Sequence, residues 1–172
     1  KWEENYKTLD RVLKKLGISD GHSVLDIGPG AGLYTEYFLK RGFSNYTAVD
    51  FVEEVIAGLT EKFGRHGYRF IQKDIIEEKI GGKYDLVFMI DVTQHIIMDR
   101  DFEFIMRSVQ NSLNMGGIFL VTDQLNNNKR EALRIRRRPL TYYRRILGLS
   151  YMGRADFDTL INNGKQLFIF KK

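Results

Sequence analysis

Three features of the sequence predict an α/β protein built on an open, doubly wound, mostly parallel sheet. Short apolar runs recur between helical stripes, and a glycine-rich turn follows the first run directly. Several runs are also apolar without alternation, as strands are when helices cover both faces of a sheet. The chain has 172 residues, 43% hydrophobic and 28% charged, which suits one domain with one core and is too apolar for a disordered chain. We expect residues 1–172 to form a single domain.

Each element has its own signal. Trp2, Tyr6, Leu9, Leu13 and Leu16 recur at helical spacing, and Gly17 sits where such a helix stops, so residues 1–17 are read as an N-terminal helix. Ser23–Ile27 is a buried strand that runs into a glycine cluster. Leu33–Arg41 is helical and closed by Gly42, and Tyr46–Val49 is a second strand ending at Asp50. Val52, Val55, Ile56, Leu59 and Phe63 form the next helical stripe, followed by Gly64 and Gly67. Tyr68–Gln72 and Tyr84–Ile90 are the third and fourth strands. Asp101 is placed to cap a helix whose inner face is Phe102, Ile105, Val109 and Leu113. Asn114-Met-Gly-Gly117 ends that helix, and Ile118–Thr122 is the fifth strand. Repeated strand–helix units of this kind join through right-handed crossovers. The C-terminal part differs: a basic helical stretch precedes Leu149–Asp156 and Gln166–Phe170. Asn162-Asn-Gly164 between them is a hairpin-turn signal, so the last two strands are expected to be antiparallel.

Composition removes several chemistries. Without cysteine there is no disulfide framework, thiolate nucleophile or Cys-ligated metal. No apolar run approaches the roughly 20 residues that span a bilayer, and residues 1–6 lack the apolar stretch of a signal peptide. A cytoplasmic location is therefore expected; the start at Lys1 rather than Met fits a trimmed domain. The net charge of +5 is unevenly placed: Lys129–Arg145 holds eight basic residues and one acidic, a net +7, so the rest sums to −2. A protein that coats nucleic acid usually spreads its positive charge further.

The most informative stretch is Val24-Leu-Asp-Ile-Gly-Pro-Gly-Ala-Gly32, a strand leading through glycines into a helix. Glycines there let the backbone approach a ligand and point free N–H groups at it; the plain alternative is an ordinary strand-to-helix turn. A dinucleotide fingerprint requires a third glycine at position 33, which is Leu33. Instead Gly28, Gly30 and Gly32 follow a carboxylate, Asp26. Beside the turn, that carboxylate repels a pyrophosphate and suits a nucleoside carrying an amine and a sulfonium.

These residues resemble the class I S-adenosylmethionine-dependent methyltransferases of the small single-domain type. Their first motif is acidic-x-Gly-x-Gly-x-Gly, and Asp26–Gly32 matches each defined position. The resemblance covers Val24 to Asp123 and weakens beyond. It implies a Rossmann-like seven-stranded sheet with one antiparallel strand near the C-terminus, in keeping with the hairpin signal. It also implies S-adenosylmethionine as cofactor and S-adenosylhomocysteine as product. On it, Asp26, Gly28, Gly30 and Gly32 hold the donor, and Asp50, 18 residues beyond Gly32, accepts the ribose hydroxyls. Phe51 lines the adenine pocket, Asp74 receives the adenine amino group, and the N–H of Ile75 faces the ring. Read without the resemblance, Asp50 caps the following helix and Asp74 carries no particular meaning.

The fourth strand continues into Asp91-Val-Thr-Gln-His95, the region that borders the transferred methyl in this family. Asp91 and His95 are the candidate catalytic residues, with His95 as the base for a hydroxyl acceptor; the alternative is that His95 only packs or caps the next segment. No Asn-Pro-Pro-Tyr or Asp-Pro-Pro-Tyr follows the strand, which argues against methylation of adenine or glutamine amino groups. No His and carboxylate cluster has metal-ligand spacing, so no metal is expected. Residues 124–148 are read as a basic acceptor-side segment. If helical, Arg130, Arg134 and Arg138 share a face, and Arg134, Arg138 and Tyr142 are the candidate acceptor contacts. Trp2 and Tyr6 either cover the acceptor site or simply pack the first helix. The preferred reading is O-methylation of a small-molecule or glycan-like, anionic acceptor. RNA methylation through residues 129–145 and a non-catalytic binding module are the rivals, and a nicotinamide-dependent dehydrogenase is more distant.

Overall fold

A computed structural model describes residues 2–124, 130–132, 135–157 and 165–172. In chain order these form α1 (Trp2–Leu16), β1 (Val24–Ile27), α2 (Leu33–Lys40), β2 (Tyr46–Asp50), α3 (Glu53–Phe63), β3 (Arg69–Gln72) and β4 (Tyr84–Met89). There follow α4 (Asp99–Ser112), β5 (Leu113–Asp123), the short β6 (Arg130–Ala132) and β7 (Ile135–Arg136), α5 (Leu140–Leu147), β8 (Ser150–Asp156) and β9 (Gln166–Lys171). Seven strands make one sheet in the order β3-β2-β1-β4-β5-β9-β8. Strands β1 to β5 are parallel, and β9 is antiparallel to both β5 and β8, so it is the single reversed strand. The α/β, doubly wound, seven-stranded expectation agrees with this arrangement. The Asn162–Gly164 turn signal lies outside the described residues.

Strand alternation assigns the two cores. Val24 and Phe88 pack under α1, α2 and α3 against Leu9, Tyr37, Phe38 and Leu59. Leu25, Val87 and Phe119 pack on the other face against Phe102 and Ile105 of α4 and Tyr143 and Leu147 of α5. Each fully buried side chain of this size contributes roughly 1.5–3 kcal/mol of transfer free energy. Asp26 falls on the apolar first face by the same alternation, and is 2% exposed. Helix α1 is fixed to α2 from the side: Tyr37 Oη donates to Asp10 Oδ1 at 2.8 Å, Arg41 pairs with Asp10, and Tyr6 Oη donates to the Leu33 carbonyl at 2.9 Å. The Tyr6 ring lies against those of Tyr34 and Tyr37, so Tyr6 packs α1 against α2.

Several elements differ from the sequence reading. Helix α4 begins at Asp99, two residues before the expected cap, and ends at Ser112. Strand β5 starts directly at Leu113, so the Asn114–Gly117 helix stop is strand: Gly116 N–H donates to the Lys172 carbonyl at 3.0 Å and Lys172 N–H to Gly117 at 3.0 Å. The tail of β9 gives these residues a sheet partner that local spacing cannot show. The described residues 130–132 and 135–136, expected to be helical, instead form an antiparallel strand pair, with Arg130 opposite Arg136. Helix α5 starts only after Pro139, because a proline disfavours helical geometry in the residue before it.

Candidate active site

A cleft of about 320 Å³ opens at the carboxyl ends of β1 to β4, beside the point where strand order reverses around β1. This is where open α/β sheets hold ligands, and the volume suits a small molecule. The loop after β1 forms one wall. Gly28 has φ 71°, and a Cβ there would lie 2.5 Å from Val92 Cγ2, itself a cleft residue. Gly32, φ 78°, turns the chain into α2, where a Cβ would lie 2.5 Å from Leu59 Cδ2 and 3.0 Å from Phe63 Cε2. Gly28 and Gly32 thus serve different ends: the first keeps the cleft open and the second lets α2 sit against α3. Gly28 N–H is used by Val49 O (2.9 Å) and Gly32 N–H by Pro29 O (3.0 Å). The Gly30 and Ala31 N–H groups have no protein partner among the described residues and remain as donors for a bound acceptor atom.

Asp50 and Phe51 enter the cleft from the end of β2. Asp50 Oδ1 accepts the Val52 N–H at 3.1 Å, while Oδ2 has no partner among the described residues. Phe51 is 69% exposed, with its ring on the cleft wall. From β3 come Lys73 and Ile75. Asp74 between them does not line the cleft: its Oδ1 accepts the Ile76 N–H at 2.9 Å in a local turn. Asp26 also lies outside the cleft wall, contrary to its expected place beside the donor. Its carboxylate points into the first core, where Tyr46 Oη donates to Oδ2 at 2.5 Å and Thr35 meets the same hydroxyl at 2.9 Å. Burial, and secondarily the charge of Asp50, push the Asp26 carboxyl up to about 7 against the pull of Tyr46.

The far end of the cleft is made by Asp91, Val92 and His95 after β4. Asp91 has φ 61°, the only positive φ outside glycine among the described residues, a conformation that stores strain at functional sites. Its N–H donates to Thr122 Oγ1 (2.9 Å), that hydroxyl donates back to Oδ1 (3.2 Å), and Lys165 Nζ lies 2.8 Å from Oδ2. His95 is exposed at the end of the short turn Thr93–His95, with Nε2 3.3 Å from Gln94 Nε2. The turn rests on a buried network: Asp123 accepts from Tyr143 Oη (2.5 Å), the Gln124 N–H (2.7 Å) and Thr93 Oγ1 (3.4 Å). Burial raises the Asp123 carboxyl despite these donors.

The family model described as a methyltransferase domain matches residues 2–160. The chain belongs to the S-adenosylmethionine-dependent methyltransferase family. It is 35% identical over 65 residues to a ribosomal RNA small subunit methyltransferase A of Synechococcus sp. (strain CC9311), covering 38% of this chain and 24% of that protein. It is 27% identical over 148 residues to a malonyl-[acyl-carrier protein] O-methyltransferase of Calditerrivibrio nitroreducens, covering 86% of this chain and 56% of the relative. The chain thus spans about a quarter to a half of the length of these curated relatives. Among solved structures, an S-adenosylmethionine-dependent methyltransferase from Clostridium acetobutylicum superposes with TM-score 0.78 at 19% identity, over 99% of this chain and 92% of that one. The N-methyltransferase NodS of Bradyrhizobium japonicum, solved with S-adenosylhomocysteine, gives TM-score 0.76 at 18% identity, over 99% and 86%.

S-adenosylmethionine is the cofactor of this methyltransferase family, and the cleft fits it. The Gly28 position would be filled by a Cβ, two loop N–H groups are unclaimed, and a carboxylate oxygen and an exposed ring face the same space. The acceptor-side candidates fare differently. Arg134 lies outside the described residues. Arg138 is 1% exposed: its Nε donates to Asp99 Oδ1 at 3.0 Å, and its guanidinium sits 4.1 Å from the Phe102 ring centroid. Arg136 Nη2 grips the other Asp99 oxygen at 2.7 Å. Tyr142 Oη donates to Glu103 Oε1 at 2.8 Å, and Arg145 stacks over its ring. Arg138 and Tyr142 therefore join α5 and its lead-in to α4, which corrects their reading as free acceptor contacts. The sequence reading missed Lys165, Thr122 and Val92. Lys165 precedes the last strand, and only the β5–β9 pairing brings it to Asp91.

Proposed function

We propose that this methyltransferase methylates a hydroxyl of a small-molecule or glycan-like acceptor, with His95 as the general base. The observation that carries this reading is the exposed His95 ring at the cleft end beside Asp91, with Nδ1 unpartnered among the described residues. Bound S-adenosylmethionine supplies a methyl already activated on a sulfonium. Asp50 would accept its ribose hydroxyls, Phe51 and Ile75 would hold its adenine, and the Gly30 and Ala31 N–H groups would receive the carboxylate of its methionine moiety. His95, at the end of the cleft, would take the proton of the acceptor hydroxyl. Asp91, held by Lys165 and Thr122, fixes the loop that carries His95, and alignment contributes the rest of the acceleration. The internal pairing of Arg136 and Arg138 with Asp99 lessens the support for an anionic acceptor. The test is a labelled-donor screen over sugars, phosphorylated metabolites and RNA. With the acceptor found, His95→Ala should lower kcat about 10²-fold or more and leave S-adenosylhomocysteine affinity within about threefold. An unchanged kcat, or methyl found only on nitrogen, defeats the assignment.

RNA methylation is the second reading, favoured by exposed Arg144 and Arg145 around a surface hollow of about 360 Å³ on α5 and by the ribosomal RNA methyltransferase relatives. RNA affinity that falls steeply with salt and weakens in Arg144→Gln/Arg145→Gln would establish it.

A further inference from the structure

A second hollow among the described residues is larger than the donor cleft. A groove of about 510 Å³ runs between α1 and the edge strand β8, and it shares no residue with the cleft. Its lining has an apolar strip, Val12 and Leu16 from α1, Met152 and Ala155 from β8 and Ile169 from β9, beside the buried polar Asn5 and Thr8 of α1. Met152 is 52% exposed there. The bulge at Gly153, φ 126°, shifts the strand register between Tyr151 and Gly153. A bulge of this kind puts residues three apart, Met152 and Ala155, on the same side of the strand.

The rim is charged and unbalanced. Arg11 and Lys15, one helical turn apart, stand on α1, and Arg154 stands on β8. None of the three has a carboxylate within ion-pair distance among the described residues. The rim carboxylates are Glu4, which pairs with Lys7 at 2.8 Å, and Asp156, which receives the Gln166 side chain at 3.3 Å. With Glu4 neutralised by Lys7, Arg11, Lys15 and Arg154 outweigh Asp156. Long cationic side chains bordering an apolar trough keep their heads in water and their stems along its walls. The volume lies in the range of small-molecule sites.

We propose that this groove binds a single-chain anionic amphiphile, a medium-chain fatty carboxylate, with the alkyl chain on the Val12–Met152 floor and the carboxylate at Arg11 and Lys15. The site does not depend on which acceptor is methylated.

The probe is decanoate below its micelle concentration, titrated calorimetrically into the chain beside decyltrimethylammonium and acetate. Decanoate should bind once per chain, at least tenfold tighter than the cationic analogue, with no detectable heat from acetate. Arg11→Gln/Lys15→Gln, and separately Met152→Glu, should each weaken decanoate at least tenfold while S-adenosylhomocysteine affinity stays within twofold; all of these positions are exposed. Equal binding of the two head groups would reduce the groove to a non-selective apolar patch and overturn the proposal. So would decanoate binding that both variants leave unchanged. A dimer on sizing that Met152→Glu dissociates would give the groove to a second copy instead.

Discussion

Gly28 and Asp91 face each other's loops across the cleft, and both hold positive φ for opposite reasons. At Gly28 the requirement is space as well as angle: φ is 71° and Val92 stands 2.5 Å from where a Cβ would be. Gly28→Ala should cost about 1 kcal/mol in backbone strain. It should also weaken S-adenosylhomocysteine by more than tenfold, as Val92 is driven into the cleft; calorimetry that finds wild-type affinity would show the wall to be pliable. At Asp91 the side chain's partners, Thr122 and Lys165, hold a φ of 61° that the residue does not favour. Both Asp91→Ala and Asp91→Gly lose those contacts, but only glycine is free of the angular penalty. Asp91→Gly should therefore be about 1 kcal/mol more stable than Asp91→Ala in urea unfolding. Equal midpoints would mean that the loop relaxes once the carboxylate is gone.

The α4–α5 layer shows how elements that local spacing leaves unconnected become one unit. The arginines before α5 converge on Asp99 in the first turn of α4, with Arg138 buried over Phe102 and Tyr142 hydrogen-bonded to Glu103 one turn further on. A carboxylate in that first turn is also favoured by the helix dipole. Removing it leaves the 1% exposed Arg138 guanidinium without its counter-charge. Losing a partner from a buried pair costs about 3 kcal/mol or more; because the Asp99 side chain is 40% exposed, Asp99→Ala should cost about 2 kcal/mol. Donor affinity should not move, since none of these residues lines the cleft. A matching loss of S-adenosylhomocysteine binding would show instead that the layer supports the donor site.

At the scale of the whole molecule, the buried carboxylates set how stability follows pH. Burial raises the Asp26 carboxyl from 3.8 to about 7, so across that window the folded chain keeps a proton that the unfolded chain releases. Stability is therefore lost as pH rises from about 4 to about 7 and is level above that. Asp123, also raised by burial, adds to the same direction. Asp10, held below the usual range by the hydrogen bond from Arg41, acts the other way and loses its contribution only as pH falls below about 4. Asp26→Asn keeps an acceptor for Tyr46 and removes the titration. Urea unfolding between pH 4.5 and 7.5 should show a shallower slope for that variant than for the wild type, and identical slopes would place the titration elsewhere.

The sequence alone determined the succession of the seven sheet strands along the chain and the glycine turn. It could do so because burial on both faces and positive backbone angles restrict residue type locally: Leu86 to Met89 must be apolar, and Gly28 and Gly32 must lack a side chain. The resemblance to the methyltransferase family pointed to Asp50, Phe51, Ile75, Asp91 and His95, which sit at or beyond strand ends and line the cleft. What only the tertiary structure decided is where the charged side chains go. Asp26 precedes the glycines in the chain, yet strand alternation sends its carboxylate to Tyr46 on the far face. Arg138 looked like a ligand-seeking cation until Asp99, 39 residues earlier, claimed it. Lys165 had no visible purpose until the reversed strand carried it to Asp91. A charge is directed by whichever counter-charge the fold brings within a few ångströms, and that neighbour is not written in the adjoining residues.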